Sequence, residues 1–180
     1  MSSAFESEFE DALAAVPDEQ FDRSRFVPSV GPLDADVMLV GEAPGAQEIE
    51  EGEPFVGSAG GRLDSALESI GVDREDLYVT NLVKVRPPEN RSPRRAEIEA
   101  WWPVLEAEIE RVDPDVVVPL GSFATAELLS GDEKISDVHG QTFESDGHDV
   151  VPTYHPAATF YDDSKEGAME RDLAAVFERA

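Results

Sequence analysis

The sequence contains no cysteine. That one absence excludes disulfides, thiolate nucleophiles, zinc–thiolate centres and cysteine-ligated iron–sulfur clusters. Lysine is scarce as well: Lys84, Lys134 and Lys165 are the only three, and 14 basic residues face 40 acidic ones for a formal charge of −26. No apolar run approaches the roughly 20 residues of a membrane-spanning helix. The start, Met1-Ser2-Ser3-Ala4-Phe5-Glu6, lacks the basic flank and apolar core of a secretory signal. The expectation is a soluble, cytoplasmic monomer.

What is present narrows the class. A disordered acidic chain would need low hydrophobicity, whereas this one is 41% hydrophobic with ordered apolar runs. A folded protein of a salt-rich cytoplasm accounts better for the charge, because molar ions cut the Debye length to about 3 Å and screen self-repulsion. Under that reading, net acidity does not argue against a nucleic-acid partner. The length suits one domain, residues 1–180, with 1–22 as an N-terminal helix and lead-in. Five of the 14 basic residues fall between Lys84 and Arg95: Lys84, Arg86, Arg91, Arg94 and Arg95, with Glu89 as the only acid. Pro87, Pro88 and Pro93 make this a stiff loop. A stiff basic loop in an acidic protein suggests a phosphate contact; local pairing with acids such as Glu97 and Glu99 is the alternative.

Apolar patterning divides the chain into alternating elements. Phe5, Phe9, Leu13 and Val16 share one stripe of an acidic amphipathic helix. The continuous apolar run 37–40 reads as a strand buried on both faces. Residues 77–83, 116–120 and 148–154 read as three more strands. Helices are expected over 62–70, 93–112, 122–129 and 165–179, with Pro93 in a permitted first turn. This alternation predicts an α/β fold, a three-layer αβα sandwich around a central, mainly parallel four-stranded sheet.

Gly41-Glu42-Ala43-Pro44-Gly45 is a tight turn at the carboxyl end of the first strand, where open α/β folds place ligand sites. Glu42, Asn81, Gly121-Ser122 and His155 each fall just beyond a different strand, so a parallel sheet brings them to one crevice. Singly, each has a duller explanation: Asn81 can cap a turn, and His155 can be a structural histidine. Together with Phe55 they suit a planar heterocycle. Phe55 can stack on the ring, and the Asn81 amide matches adjacent N–H and C=O groups. His155 can donate to a carbonyl oxygen on which charge develops as a bond to the ring nitrogen breaks. Glu42 can orient or deprotonate water, or stabilise a cationic sugar. Gly57-Ser58-Ala59-Gly60-Gly61 opens a helix whose N–H groups suit a phosphate, although neither a Walker nor a GxGxxG pattern is present.

Gly41-Glu42-Ala43-Pro44-Gly45, Gly52-Glu53-Pro54-Phe55-Val56-Gly57-Ser58-Ala59-Gly60, Tyr78-Val79-Thr80-Asn81-Leu82-Val83-Lys84, Arg86-Pro87-Pro88-Glu89-Asn90-Arg91 and Tyr154-His155-Pro156-Ala157-Ala158 stand in this order. In order and spacing they resemble the uracil-DNA glycosylase superfamily, nearest its family four, the iron–sulfur type. The resemblance implies hydrolysis of the N-glycosidic bond of uracil flipped out of DNA, in base-excision repair. It implies that Glu42 positions or activates water and that Phe55 stacks on the base. Asn81 would read the uracil edge, His155 would donate to O2, and Gly41 and Ala43 would border the base. Candidate DNA contacts are Gly57, Ser58, Ala59 and Gly60 at the helix start, and Lys84, Arg86 and Arg91 in the basic loop. Ser122, Pro156 and Phe160 complete them.

The chain also departs from the family. Family four holds a [4Fe–4S] cluster on four cysteines. Val85 stands in the place of one and Trp101 in that of another, and the N-terminal pair falls near Ala14 and Pro17. The expectation is therefore no metal and no cofactor, with apolar packing in the cluster's place and Val85 and Trp101 filling part of its volume. After the histidine, Thr159-Phe160-Tyr161-Asp162-Asp163 replaces the family's apolar residues and arginine. Phe160 or Tyr161 is the candidate wedge, and the acidic pair repels phosphate at low salt. Two other readings stay open. One is a catalytically weak or silent member that binds DNA, a nucleotide or a protein partner; the other is a glycosylase for a different damaged base.

Overall fold

In the computed structural model, residues 4–179 are described. The helices in chain order are α1 (Ala4–Glu8), α2 (Glu10–Ala14), α3 (Ala46–Glu51), α4 (Ser58–Ser69), α5 (Arg95–Val112), α6 (Ser122–Leu129), α7 (Ile135–Val138) and α8 (Asp163–Arg179). The strands are β1 (Val37–Gly41), β2 (Tyr78–Asn81), β3 (Val116–Pro119), β4 (Phe143–Ser145) and β5 (His148–Val150). β1 is the hub, parallel to β2 on one side and to β3 on the other. β5 continues the parallel set beside β3, and β4 closes that edge antiparallel, giving the order β2-β1-β3-β5-β4.

The period-2 alternation of buried strands builds two cores. Val37, Leu39, Val79, Val116 and Val118 face Leu63 and Leu67 of α4 and Met169, Leu173 and Val176 of α8. On the opposite side, Met38, Val40, Tyr78 and Val117 face Leu105 and Val112 of α5 and Ala124 of α6. A third core joins α1 and α2 to α5 through Phe5, Phe9, Leu13, Val16, Ile98, Trp101 and Val104. No helix among the described residues is long and apolar enough to cross a membrane.

The α/β sandwich is as expected, with a fifth strand added. Asp146 and Gly147, at φ 51° and 86°, turn β4 into β5 as a two-residue hairpin. Beyond Val150, the N–H groups of Val151 and Thr153 still donate to the carbonyls of Val117 and Pro119 (3.0 and 3.1 Å). That pairing carries the chain along β3 to His155. The expected helix over residues 5–16 breaks at Phe9 (φ −112°, ψ 28°) into α1 and α2, yet its apolar stripe stays buried. α5 starts at Arg95 rather than Pro93, where the Glu97 carboxylate accepts from the Arg94 N–H (2.8 Å).

Candidate active site at the carboxyl edge of the sheet

The strand order reverses at β1, so the crevice of this α/β sheet opens at the carboxyl ends of β1 and β3. Gly41 and Asn81 are partners in the β1–β2 register there. A Cβ on Gly41 would stand 2.4 Å from Asn81 Oδ1 and 2.5 Å from Phe55 Cζ, so only glycine lets ring and amide meet over the strand end. Phe55 and His155 face each other with centroids 5.8 Å apart and planes at 39°. His155 packs against Gly121, whose added Cβ would lie 3.0 Å from that of the histidine. Four separate strand ends thus deliver Glu42, Asn81, Gly121 and His155 to one edge.

Each polar group has a definite state. Asn81 is buried, and its carbonyl accepts from Lys84 Nζ at 2.8 Å. Its side-chain amide has no partner among the described residues, and no unpaired side-chain polar atom there is fully sealed. The amide therefore opens onto the crevice. His155 Nδ1 accepts from the Ala157 N–H at 3.0 Å, which leaves the proton of the neutral ring on Nε2. Burial holds the His155 pKa below the ordinary histidine value. Glu42 is half-buried; its carbonyl accepts from the Val83 N–H (3.3 Å), and its carboxylate has no partner among the described residues. Ala43, beside it, packs on the third core. A cavity of about 880 Å³ lies elsewhere, among residues such as Glu6, Glu10, Asp18 and Arg23; converging chemistry rather than volume marks the strand-end crevice.

The expected DNA contacts fare unevenly. Lys84 is a correction. It is 1% exposed and ion-paired with the fully buried Glu108, out of reach of any phosphate. Arg91 is also committed, its Nη1 and Nη2 held by the two Glu97 oxygens (2.5 and 3.2 Å), and Arg95 is similarly held by Glu127. Local pairing therefore claims much of the basic loop, as the alternative reading anticipates. Arg86 and Arg94 have no ion-pair partner among the described residues. Gly57 leads α4 without a side-chain cap, but the Glu48 carboxylate would lie 3.3 Å from a Cβ there, so an acid already faces that approach. Ser58 is exposed, Ala59 half-buried and Gly60 buried. Ser122 is exposed at the start of α6. Pro156 is buried at the head of the short 3-10 helix Pro156–Phe160. Beyond it, Phe160 is 43% and Tyr161 92% exposed, with the Arg62 guanidinium 4.5 Å from the Phe160 ring centre.

Residues 28–178 match the Uracil DNA glycosylase superfamily. The chain belongs to that superfamily. It is 40% identical over 163 residues to the type-4 uracil-DNA glycosylase of Pyrobaculum aerophilum, covering 86% of this chain and 83% of the relative. Against the type-4 enzyme of Saccharolobus solfataricus it is 41% identical over 165 residues, covering 87% and 76% of the two chains. The type-4 enzyme of Thermotoga maritima is 40% identical over 146 residues, with coverage of 80% and 76%.

The iron–sulfur cluster implied by the type-4 likeness does not fit the residues of this superfamily member. Cluster iron needs thiolate donors, and the chain has none. Trp101, expected at the place of one cluster ligand, is buried. Its ring stacks on Phe26 (6.1 Å, 17°) and lies 5.0 Å from Phe21, and its N–H donates to the Gln20 carbonyl (3.1 Å). Val85 is half-buried on the same core. A cavity of about 160 Å³ borders Val83, Val85, Arg86 and Trp101, and no group of three potential metal ligands occurs among the described residues. Ala14 and Pro17 are exposed.

Proposed function

We propose that the protein hydrolyses the N-glycosidic bond of uracil in DNA, and does so without an iron–sulfur cluster. One observation carries this reading: an unpartnered Asn81 amide and a neutral His155 Nε2–H converge beside Phe55 in a chain about 40% identical to type-4 uracil-DNA glycosylases. A flipped uracil stacks on Phe55, bordered by Gly41 and Ala43, and the Asn81 amide pairs with its adjacent N–H and C=O groups. Glu42 holds a water against the sugar carbon and takes its proton as the new C–O bond forms. The electron pair of the broken C–N bond passes into the base, where His155 Nε2–H stabilises the charge on O2. Gly57, Ser58, Ala59 and Gly60, with Arg86, Ser122, Pro156 and Phe160, lie along the strand that carries the uracil.

Cleavage of a uracil-containing oligonucleotide after alkaline treatment tests the reading. Asn81→Ala and His155→Ala should each lower the single-turnover rate by about 10²–10³-fold; wild-type rates in either would refute the assignment. The exposed Asp162-Asp163 pair beside Tyr161 favours a second reading, a member that binds without turnover. That reading predicts uracil-DNA binding with no cleavage at any salt concentration.

A further inference from the structure

We infer that Arg74 is a positioning residue that sets the width of the base slot by tying the Phe55 loop to the lead-in of β2; this rests on the reading of that slot as a uracil site. Phe55 is a buried aromatic residue at φ 54°, in the left-handed region. A side chain with a Cβ holds that conformation only where its surroundings over-determine it. Arg74 Nη1 donates to the Phe55 carbonyl at 2.6 Å, and its Nη2 donates to the Pro54 carbonyl. One planar guanidinium thus grips two successive peptide oxygens as a fork, a geometry that lysine cannot reproduce. Gly60 lets α4 close on the same peptide, since a Cβ there would stand 1.9 Å from the Phe55 oxygen.

The guanidinium is anchored in turn. Asp64 of α4 accepts from Nη1 at 2.9 Å. Arg74 itself stands in the turn Arg74–Asp76, where Asp73 accepts from the Glu75 N–H (2.9 Å), directly before β2. β2 ends in Asn81, and Phe55 and Asn81 meet over Gly41. Arg74 therefore fixes the stacking wall of the slot relative to the wall that reads the base edge, while its own guanidinium is taken up by the Pro54 and Phe55 carbonyls and Asp64.

The test uses the full chain with Arg74→Ala and Arg74→Lys. It reads cleavage kinetics on uracil DNA, inhibition by free uracil, the Tm, and hydrogen exchange of residues 53–60. Loss of the two charge-assisted bonds to the Phe55 loop should raise the inhibition constant for uracil and lower kcat/KM by about 10–100-fold in Arg74→Ala. Exchange should speed up at 53–60 and stay at wild-type rates in β3 and α8. Arg74→Lys should fall between the two. A merely structural role would lower the Tm and raise exchange throughout, with a wild-type inhibition constant in the folded fraction. That result, or wild-type exchange at 53–60 in Arg74→Ala, overturns the inference. If the wild-type chain cleaves no uracil, the functional reading fails instead, and the exchange and Tm comparison alone decides whether the clamp exists.

Discussion

At the scale of single residues, His155 decides most. Its Nδ1 is committed to the Ala157 N–H, and a proton added there would confront that donor and release the head of the Pro156–Phe160 turn. Burial lowers the folded pKa below 6.5, so the ring stays neutral as pH falls past 6.5 and protonates only lower down. By linkage, the stability associated with the neutral ring is present above the unfolded pKa and lost as pH falls through the folded one. The pH–rate profile of uracil release should accordingly show an acid limb below pH 6.5 that His155→Asn abolishes; a limb at or above that pH contradicts the assignment. The placement of Glu42, Asn81 and His155 along one sheet edge was legible because strand ends can be read from apolar runs. Lys84 was not legible. Counting charge along a loop does not tell which side chain turns inward, and its partner Glu108 lies far along the chain in α5.

At the scale of elements, that same pair joins the end of β2 to α5 beneath the site. Glu108 accepts from Lys84, from Tyr78 Oη at 2.7 Å and from Thr80 Oγ1 at 3.2 Å, and Ser29 Oγ donates to Thr80 Oγ1 at 2.6 Å. Burial pushes the Lys84 pKa down, and Glu108 opposes that shift. Removing one partner leaves an uncompensated buried charge, so Lys84→Met should cost about 3–5 kcal/mol. The double variant Lys84→Met/Glu108→Gln removes both charges, keeps an oxygen acceptor for Tyr78 and turns an amide N–H toward Thr80 Oγ1, and should recover most of that loss in denaturant unfolding at fixed KCl. Equal destabilisation of single and double variants would show that the pair is not the source. The sheet's parallel strands and long helices were readable from continuous apolar runs and helical stripes. β5 falls within the expected strand 148–154, whereas β4 and the hairpin were missed although Asp146-Gly147 is a hairpin signal, because β4 is only partly buried and carries little apolar pattern. The N-terminal helix kept its stripe and lost its continuity, since packing of Phe5 and Phe9 against α5, not helix propensity, holds it.

At the scale of the whole molecule, a charge of −26 sets the working conditions. Ion pairs occupy Arg23, Arg62, Arg74, Lys84, Arg91, Arg95, Arg111 and Arg179, so little positive charge is left to attract DNA. Rising salt weakens phosphate contacts and also screens the repulsion between acidic protein and DNA; on the proposed reading the second effect is expected to dominate at low ionic strength. The α/β class was legible in the alternation of elements, and pairing of the basic loop with Glu97 was one of the two readings its sequence offered, while the pairing of Lys84 with Glu108 and of Arg95 with Glu127 needed three dimensions. The central claim, a uracil-DNA glycosylase that works without a cluster, meets its most direct test in one assay. Protein of measured iron and sulfide content is incubated with a duplex carrying a single uracil, from low salt to molar KCl, with His155→Ala alongside. The account predicts His155-dependent cleavage by iron-free protein, rising from low salt into high KCl. Folded protein that cleaves at no salt concentration, or activity that scales with bound iron, would contradict it.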